Sequence, residues 1–172
     1  MNNARNVRER NHLNQERLKA LLHYDPDSGI FRWVGTKAHR IRNGEIAGSK
    51  NKRYVFISLN YKLFTGHRLA FLYMTGSMPA MVDHINGEGT DNRWCNLRPC
   101  NPRQNTWNVR KDSLNTSGFK GVTFCKTTKR WRAQIKFYGV HRCLGRYDSP
   151  EEAHAAYVAK AQELFGEFAR AV

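Results

Sequence analysis

Residues 82–108 read VDHINGEGTDNRWCNLRPCNPRQNTWN. An Asp-His pair, Asp83 and His84, stands ahead of six asparagines, and the run carries almost none of the periodicity of a packed element. Asparagine favours turns and caps over helix interiors, so a string of turns is the simplest account. The other account is chemical: amide oxygens and one carboxylate holding a hard metal ion beside a histidine. The local pattern orders the segment. Val82 to Ile85 can end a strand, NGEGTDN is a glycine-rich turn, and Trp94 to Pro99 suits a second short strand. Asn101 as cap, Pro102 at the first helical position and Gln104 at the third then start a helix, with Asn105 on its first turn. The expected order is strand, loop, strand, helix, with Asp83 and His84 at one end and Asn105 able to face them.

Upstream, the polar residues 1–12 read as a frayed tail, and Leu18, Leu21 and Leu22 predict a short helix over Gln15 to His23. YDPDSG reads as a turn and GIFRWVG as a strand. Residues 36–52, with Lys37, Arg40, Arg42, Lys50 and Lys52, read as a basic loop or hairpin suited to phosphate tracking. RYVFISLNYKLF alternates as a strand pair with its turn at Asn60-Tyr61, and HRLAFLYMTG predicts a helix closed by Gly76. His67, at that helix start, reads as a packing residue.

Downstream, KDSLNTSG at 111–118 is polar and rich in turn formers, and divides the chain into 1–110 and 118–172 with a linker at 111–117. RWRAQIKF at 130–137 alternates strictly, with Trp131, Ala133, Ile135 and Phe137 on one face and Arg130, Arg132, Gln134 and Lys136 on the other. FKGVTFC and VHRCLGRY suit two flanking antiparallel strands. DSPEEAHAAYVAKAQELFGEF then opens a helix, with Ser149 as N-cap, Pro150 first and Glu152 third. A single helix covers only one face of a three-stranded sheet, which leaves the basic face to solvent.

The chain of 172 residues has room for one ordinary domain or two small ones. Hydrophobic content of 40% argues against wholesale disorder, while the net charge of +15 asks for a polyanionic partner. No apolar run nears the roughly 18 residues of a membrane span, and the N-terminus lacks the apolar region of a secretory signal. Nucleic acid is therefore the expected partner, with no membrane, and the expected location is cytoplasmic. Cys95, Cys100, Cys125 and Cys143 form no C-x2-C pair, so neither a zinc knuckle nor a disulfide framework is signalled.

Phosphodiester hydrolysis asks for this set of side chains. Asp83 and Asn105 offer hard oxygen ligands for Mg²⁺ or Mn²⁺. His84, on the opposite side of the strand from Asp83, can act as general base on water, and the Asn96 amide oxygen is a candidate to fix its other ring nitrogen. The pattern D-H-x11-N-x8-N, as Asp83, His84, Asn96 and Asn105, resembles the phage-type HNH endonucleases related to homing endonucleases, and YDPDSGIFRWV, GEIAGSKNKRYVFISL and GHRLAFLYMTG follow that group's order. The resemblance covers residues 20 to 110. It implies an α+β chain whose ββα-metal unit is preceded by β-hairpins, with one divalent ion per active site held by Asp83 and Asn105, His84 activating water and Asn96 orienting it. Asn92 matches a recurrent turn asparagine. A phage or prophage origin, hence a bacterial host cell, follows from the resemblance.

Residues 117–169, from SGFKGV through KRWRAQI and LGRYDSPEEAHAAY to FGEFA, resemble the APETALA2/ethylene-response-factor DNA-binding domain. That implies a three-stranded sheet reading the DNA major groove. Lys120, Lys126, Arg130, Arg132, Gln134 and Lys136 are the expected contacts, with His141 and Arg142 undecided because the third strand's register is open. Thr123, Cys125 and Cys143 stand where plant members usually carry arginine or tryptophan, so the target sequence is not inherited. The resemblances imply a metal-dependent endonuclease of double-stranded DNA, with RNA the weaker candidate, nicking or cutting both strands, as monomer or homodimer. Its rivals are a non-catalytic DNA-binding regulator and a nuclease for branched DNA.

Overall fold

The computed structural model describes residues 13–35, 41–109, 111 and 114–170. The expected tail, Lys37, Arg40 and part of the linker lie outside them. The chain divides into two compact units, Met1–Asn101 and Pro102–Val172. That division falls ahead of the polar run at 111–117.

The first unit opens with helix α1 (Gln15–Leu21), capped by Asn14, whose side chain accepts from Arg17 N at 2.9 Å. The expected third turn of α1 is replaced by strand β1 (Leu22–Asp25), which pairs antiparallel with β2 (Ile30–Trp33) from Leu22↔Trp33 to Asp25↔Ile30. Leu22 and Tyr24 are buried on one face of β1, an alternation that pairing with Phe31 rewards more than another helical turn would. A second sheet holds β3 (Ser49–Lys50), β4 (Val55–Leu59) and β5 (Lys62–Thr65) in that order. Asn60 and Tyr61 make the expected turn, with φ of 50° and 60° that fit a tight hairpin.

Helix α2 (Gly66–Thr75) follows and ends at left-handed Gly76, whose N–H donates to Leu72 O at 3.0 Å. Leu18, Leu22, Tyr24, Phe31, Ile57, Leu69 and Leu72 form one core under these elements. The last pair in the unit is β6 (Val82–His84) and β7 (Leu97–Pro99), in register Val82↔Pro99, Asp83↔Arg98, His84↔Leu97. The first half of the expected second strand is a 3-10 turn, Trp94–Asn96.

The second unit begins with helix α3 (Pro102–Trp107) and continues with β8 (Val122–Cys125), β9 (Arg130–Phe137) and β10 (Val140–Tyr147), ordered β10-β9-β8. Helix α4 (Pro150–Phe165) covers one face. Glu152 N donates to Ser149 Oγ at 3.2 Å and Pro150 opens the helix, as its sequence predicts. Val122, Ala133 and Ala153 meet at the centre, ringed by Phe119, Trp131, Leu144 and Tyr147. The Trp107 ring lies 5.0 Å from Phe165 at 19° and 6.3 Å from Phe137, so α3 packs with this unit.

Candidate active site

Strand alternation puts Asp83 and His84 on opposite faces of β6, and all three residues of that strand are buried. His84 is 4% exposed. Its Nε2 lies 3.2 Å from the side-chain oxygen of Asn92, and burial lowers its pKa below the ordinary 6.5, with the Asn92 bond opposing. Asn92 is 2% exposed. Its carbonyl accepts from Tyr24 Oη at 2.6 Å, and its amide nitrogen lies so near Gly66 that a Cβ there would come within 2.7 Å of it. A side chain at the first residue of α2 would therefore have to displace the Asn92 amide that meets His84.

Two aromatic neighbours complete the histidine's seat. The His67 ring stands edge-on to His84, with centroids 5.0 Å apart at 90°, and Tyr54 packs against both at 5.2 and 6.1 Å. His67 packs at the helix start, as its sequence position suggests, but it packs on the candidate base. Burial and the nearby His84 push its pKa down to about 4. Its Nε2 lies 3.1 Å from Thr65 Oγ1, while Nδ1 is buried with no hydrogen-bond partner.

Asn96 does not hold His84. Its side-chain oxygen accepts from Asn86 N at 2.9 Å, and its amide donates to Asn86 Oδ1 at 3.0 Å and to Asp91 O at 2.8 Å. It braces the glycine-rich turn, and the amide oxygen that meets the His84 ring is that of Asn92, four residues earlier. Both asparagines lie in DNRWCN, so a signal for Asn92 existed only as a buried turn residue, which sequence does not display. Asn86 keeps its expected place in the turn, donating to Asp91 Oδ2 at 2.8 Å. Arg93 beside Asp91 holds that carboxyl down at about 2.

Asp83 is 5% exposed and receives Arg98 Nε and Nη2 on Oδ2 at 2.8 and 2.7 Å. Asn105 lies exposed on α3, in the second unit. The expected ligands Asp83 and Asn105 therefore belong to different units. Asn108, the last of the six asparagines, is buried. Among the described residues no cluster of three or more His, Cys, Asp or Glu could hold a metal. A carboxylate is a hard oxygen donor that suits Mg²⁺ or Mn²⁺ better than zinc, and that of Asp83 is bonded to the Arg98 guanidinium.

On the second unit, register sorts the expected DNA contacts. Thr123 and Arg146 flank Arg132, Cys143 faces Gln134, His141 faces Lys136 and Cys125 faces Arg130, all on the side away from α4. A bulge between Cys143 and Gly145 reverses the parity of β10, which turns Arg146 outward. Arg142 lies on the inner parity, its guanidinium 5.4 Å from the Phe137 ring. Arg130 pairs with Asp148 at 2.8 and 2.9 Å on the surface, and Lys126 is exposed in the β8–β9 turn. Lys120 departs from expectation. Its amine donates to the carbonyls of Val109 at 2.6 Å, Arg170 at 3.1 Å and Trp107 at 3.5 Å, and burial, aided by Arg170, pushes its pKa down to about 8. It clasps the chain after α3 instead of projecting to a ligand.

Among the described residues no helix is long and apolar enough to cross a membrane, and all four cysteines are free. A family model described as HNH endonuclease matches residues 65–107, the span that holds α2, the β6–β7 pair and α3. Protein 3.8 of Escherichia phage T7 is 34% identical over 89 residues, which are 52% of this chain and 73% of that protein. An uncharacterized HNH endonuclease of Acanthamoeba polyphaga mimivirus, L560, is 31% identical over 106 residues, 60% of this chain and 54% of its own length. The chain thus spans about half of that viral protein. No solved structure matches. Residues 65–107, which hold Asp83, His84 and their asparagines, thus match the HNH endonuclease family, and the chain is similar to the phage T7 protein over most of that protein's length.

Proposed function

We propose that the protein is a divalent-metal-dependent endonuclease that hydrolyses DNA phosphodiester bonds. The observation that carries this reading is a buried histidine, held at one ring nitrogen by a buried asparagine and adjacent in sequence to a buried carboxylate, inside the span matched by the family. Asp83 would supply the carboxylate ligand to one Mg²⁺ or Mn²⁺, with waters and phosphate oxygens in its shell. When bound, such an ion offsets the charge that builds on the phosphate and its leaving oxygen. His84 takes the proton of the attacking water. Burial favours its neutral form, so it is ready as a base at neutral pH. Asn92 fixes its ring orientation and Asn96 keeps the intervening turn folded.

DNA is held, on this reading, by the outward face of the β8–β9–β10 sheet, in an APETALA2-like manner. Arg130, Arg132, Gln134 and Lys136 on β9, Lys126 in the turn and Arg146 on β10 support it by sharing one face. One base and one ion hydrolyse any accessible phosphodiester, so sequence preference has to come from contacts elsewhere. The test is incubation of supercoiled plasmid with Mg²⁺, beside His84→Ala and EDTA controls. Open-circle or linear product that disappears in both controls is expected. Binding without cutting across several metals, in wild type and variant alike, would sink the enzyme reading.

A further inference from the structure

A buried carboxylate needs a compensating charge, and Asp83 has one inside the fold. Arg98 is its direct partner across the β6–β7 pair, with Nε and Nη2 at 2.8 and 2.7 Å from Oδ2. The two side chains are only 10% and 6% exposed. Ile85 N donates to Asn96 O at 2.9 Å and Cys100 N to Met81 O at 3.2 Å, which fix the two strand backbones at either end of the pair, while the bonds to Asp83 hold the guanidinium itself. Arg98 is therefore a fixed cation beside the very carboxylate that the nuclease reading gives to a divalent ion.

We propose that Arg98 is a positioning residue that makes ion loading depend on substrate: it balances Asp83 when no ion is present and keeps ion binding weak until a DNA phosphate arrives. The inference rests on the metal-dependent reading above. Asp83 and Arg98 together carry no net charge, so a free ion meets little attraction and, at a buried site, poorly screened repulsion from the guanidinium. A phosphate at the same place adds a negative charge and oxygen ligands, and only then does the sum favour the ion. Linkage makes the effect reciprocal: whatever factor DNA adds to ion affinity, the ion adds to DNA affinity. The fold itself needs no ion, because the guanidinium already supplies the charge that structural metals supply elsewhere.

The test uses the full chain carrying His84→Ala, so that DNA stays uncut. Mn²⁺ and Mg²⁺ are titrated by calorimetry with and without a DNA duplex. The parent is expected to bind the ion about tenfold or more tightly with duplex than without it. Adding Arg98→Met should tighten ion binding in the absence of DNA by about tenfold and shrink the effect of DNA, while Arg98→Lys, which keeps the charge, should preserve it. An Arg98→Met chain that melts without ion and folds with it supports the proposal equally, since the ion then replaces the guanidinium. Equal ion affinity of the parent with and without duplex, or an unchanged affinity in Arg98→Met, overturns the proposal. If Arg98→Met folds under neither condition, the parent and Arg98→Lys titrations decide. A wild type that cuts plasmid while its ion affinity ignores DNA refutes this inference alone; a wild type that cuts in no metal refutes the nuclease reading beneath it.

Discussion

Asn92 and Asn96 stand four positions apart in the same turn, and their amides do different work. Asn92 touches the ring of His84, whereas Asn96 holds three partners in the loop between β6 and β7. Asn92→Ala should therefore lower kcat by roughly tenfold to a hundredfold with KM little changed, since a base out of line costs that much. Removing the Asn92 bond also removes what opposes the fall in the His84 pKa. The acidic limb of the kcat/KM profile, already below pH 6.5 in wild type, should then move to lower pH in the variant. Asn96→Ala should instead cost about 1–3 kcal/mol of folding stability, the penalty for stranded buried polar groups, read by urea denaturation. His67 makes a separate prediction. Its folded pKa of about 4 lies below the unfolded 6.5, so unfolding takes up a proton as pH falls. Stability is whole above pH 6.5 and is lost as pH drops toward 4, and His67→Phe should flatten that slope in urea melts run across the window. At this scale the sequence was legible where strand alternation decides placement, as for Asp83 and His84 on opposite faces of β6. It was silent on which asparagine is buried against the ring, because that depends on Tyr24 and Gly66, distant in sequence and near only after folding.

Elements divide in the same way, into local patterns and long-range pairings. The alternation of β9 and the capped start of α4 were readable because both signals lie within a few residues. β1 was not, since Leu18, Leu21 and Leu22 continue a helical stripe and only pairing with β2 makes Leu22 a strand residue. The outward turn of Arg146 was hidden for the same kind of reason: strict alternation from Val140 would place it inward, and the bulge after Cys143 cancels that count. Two substitutions separate clasp from contact on this unit. Arg146→Ala should reduce the magnitude of the log–log salt slope of DNA binding by about one, as the loss of one phosphate contact does. Lys120→Met should leave that slope unchanged while lowering the melting temperature, because its three carbonyl bonds lie within the fold. The two variants are compared by fluorescence anisotropy over a salt series, with thermal melts beside them.

The whole molecule carries +15, so the DNA binding proposed above should fall steeply with added salt. The arrangement of its units bears on how such chains exchange parts. α3 stacks Trp107 on Phe165, and Lys120 clasps the carbonyls that follow it, so this helix is cut from the second unit and not from the first. A chimaera joined within 111–117 would leave an indole without its stack on one side and an aromatic gap on the other. One joined between Asn101 and Pro102 keeps both hydrophobic clusters whole, and should express as folded protein where the other aggregates, a difference that size-exclusion profiles of the two fusions would report. Natural recombination faces the same seam. A crossover there would carry Asn105 along with the sheet, so on the function proposed above a new target preference, and the metal ligand that the sequence resemblance implies, would arrive as one piece of sequence.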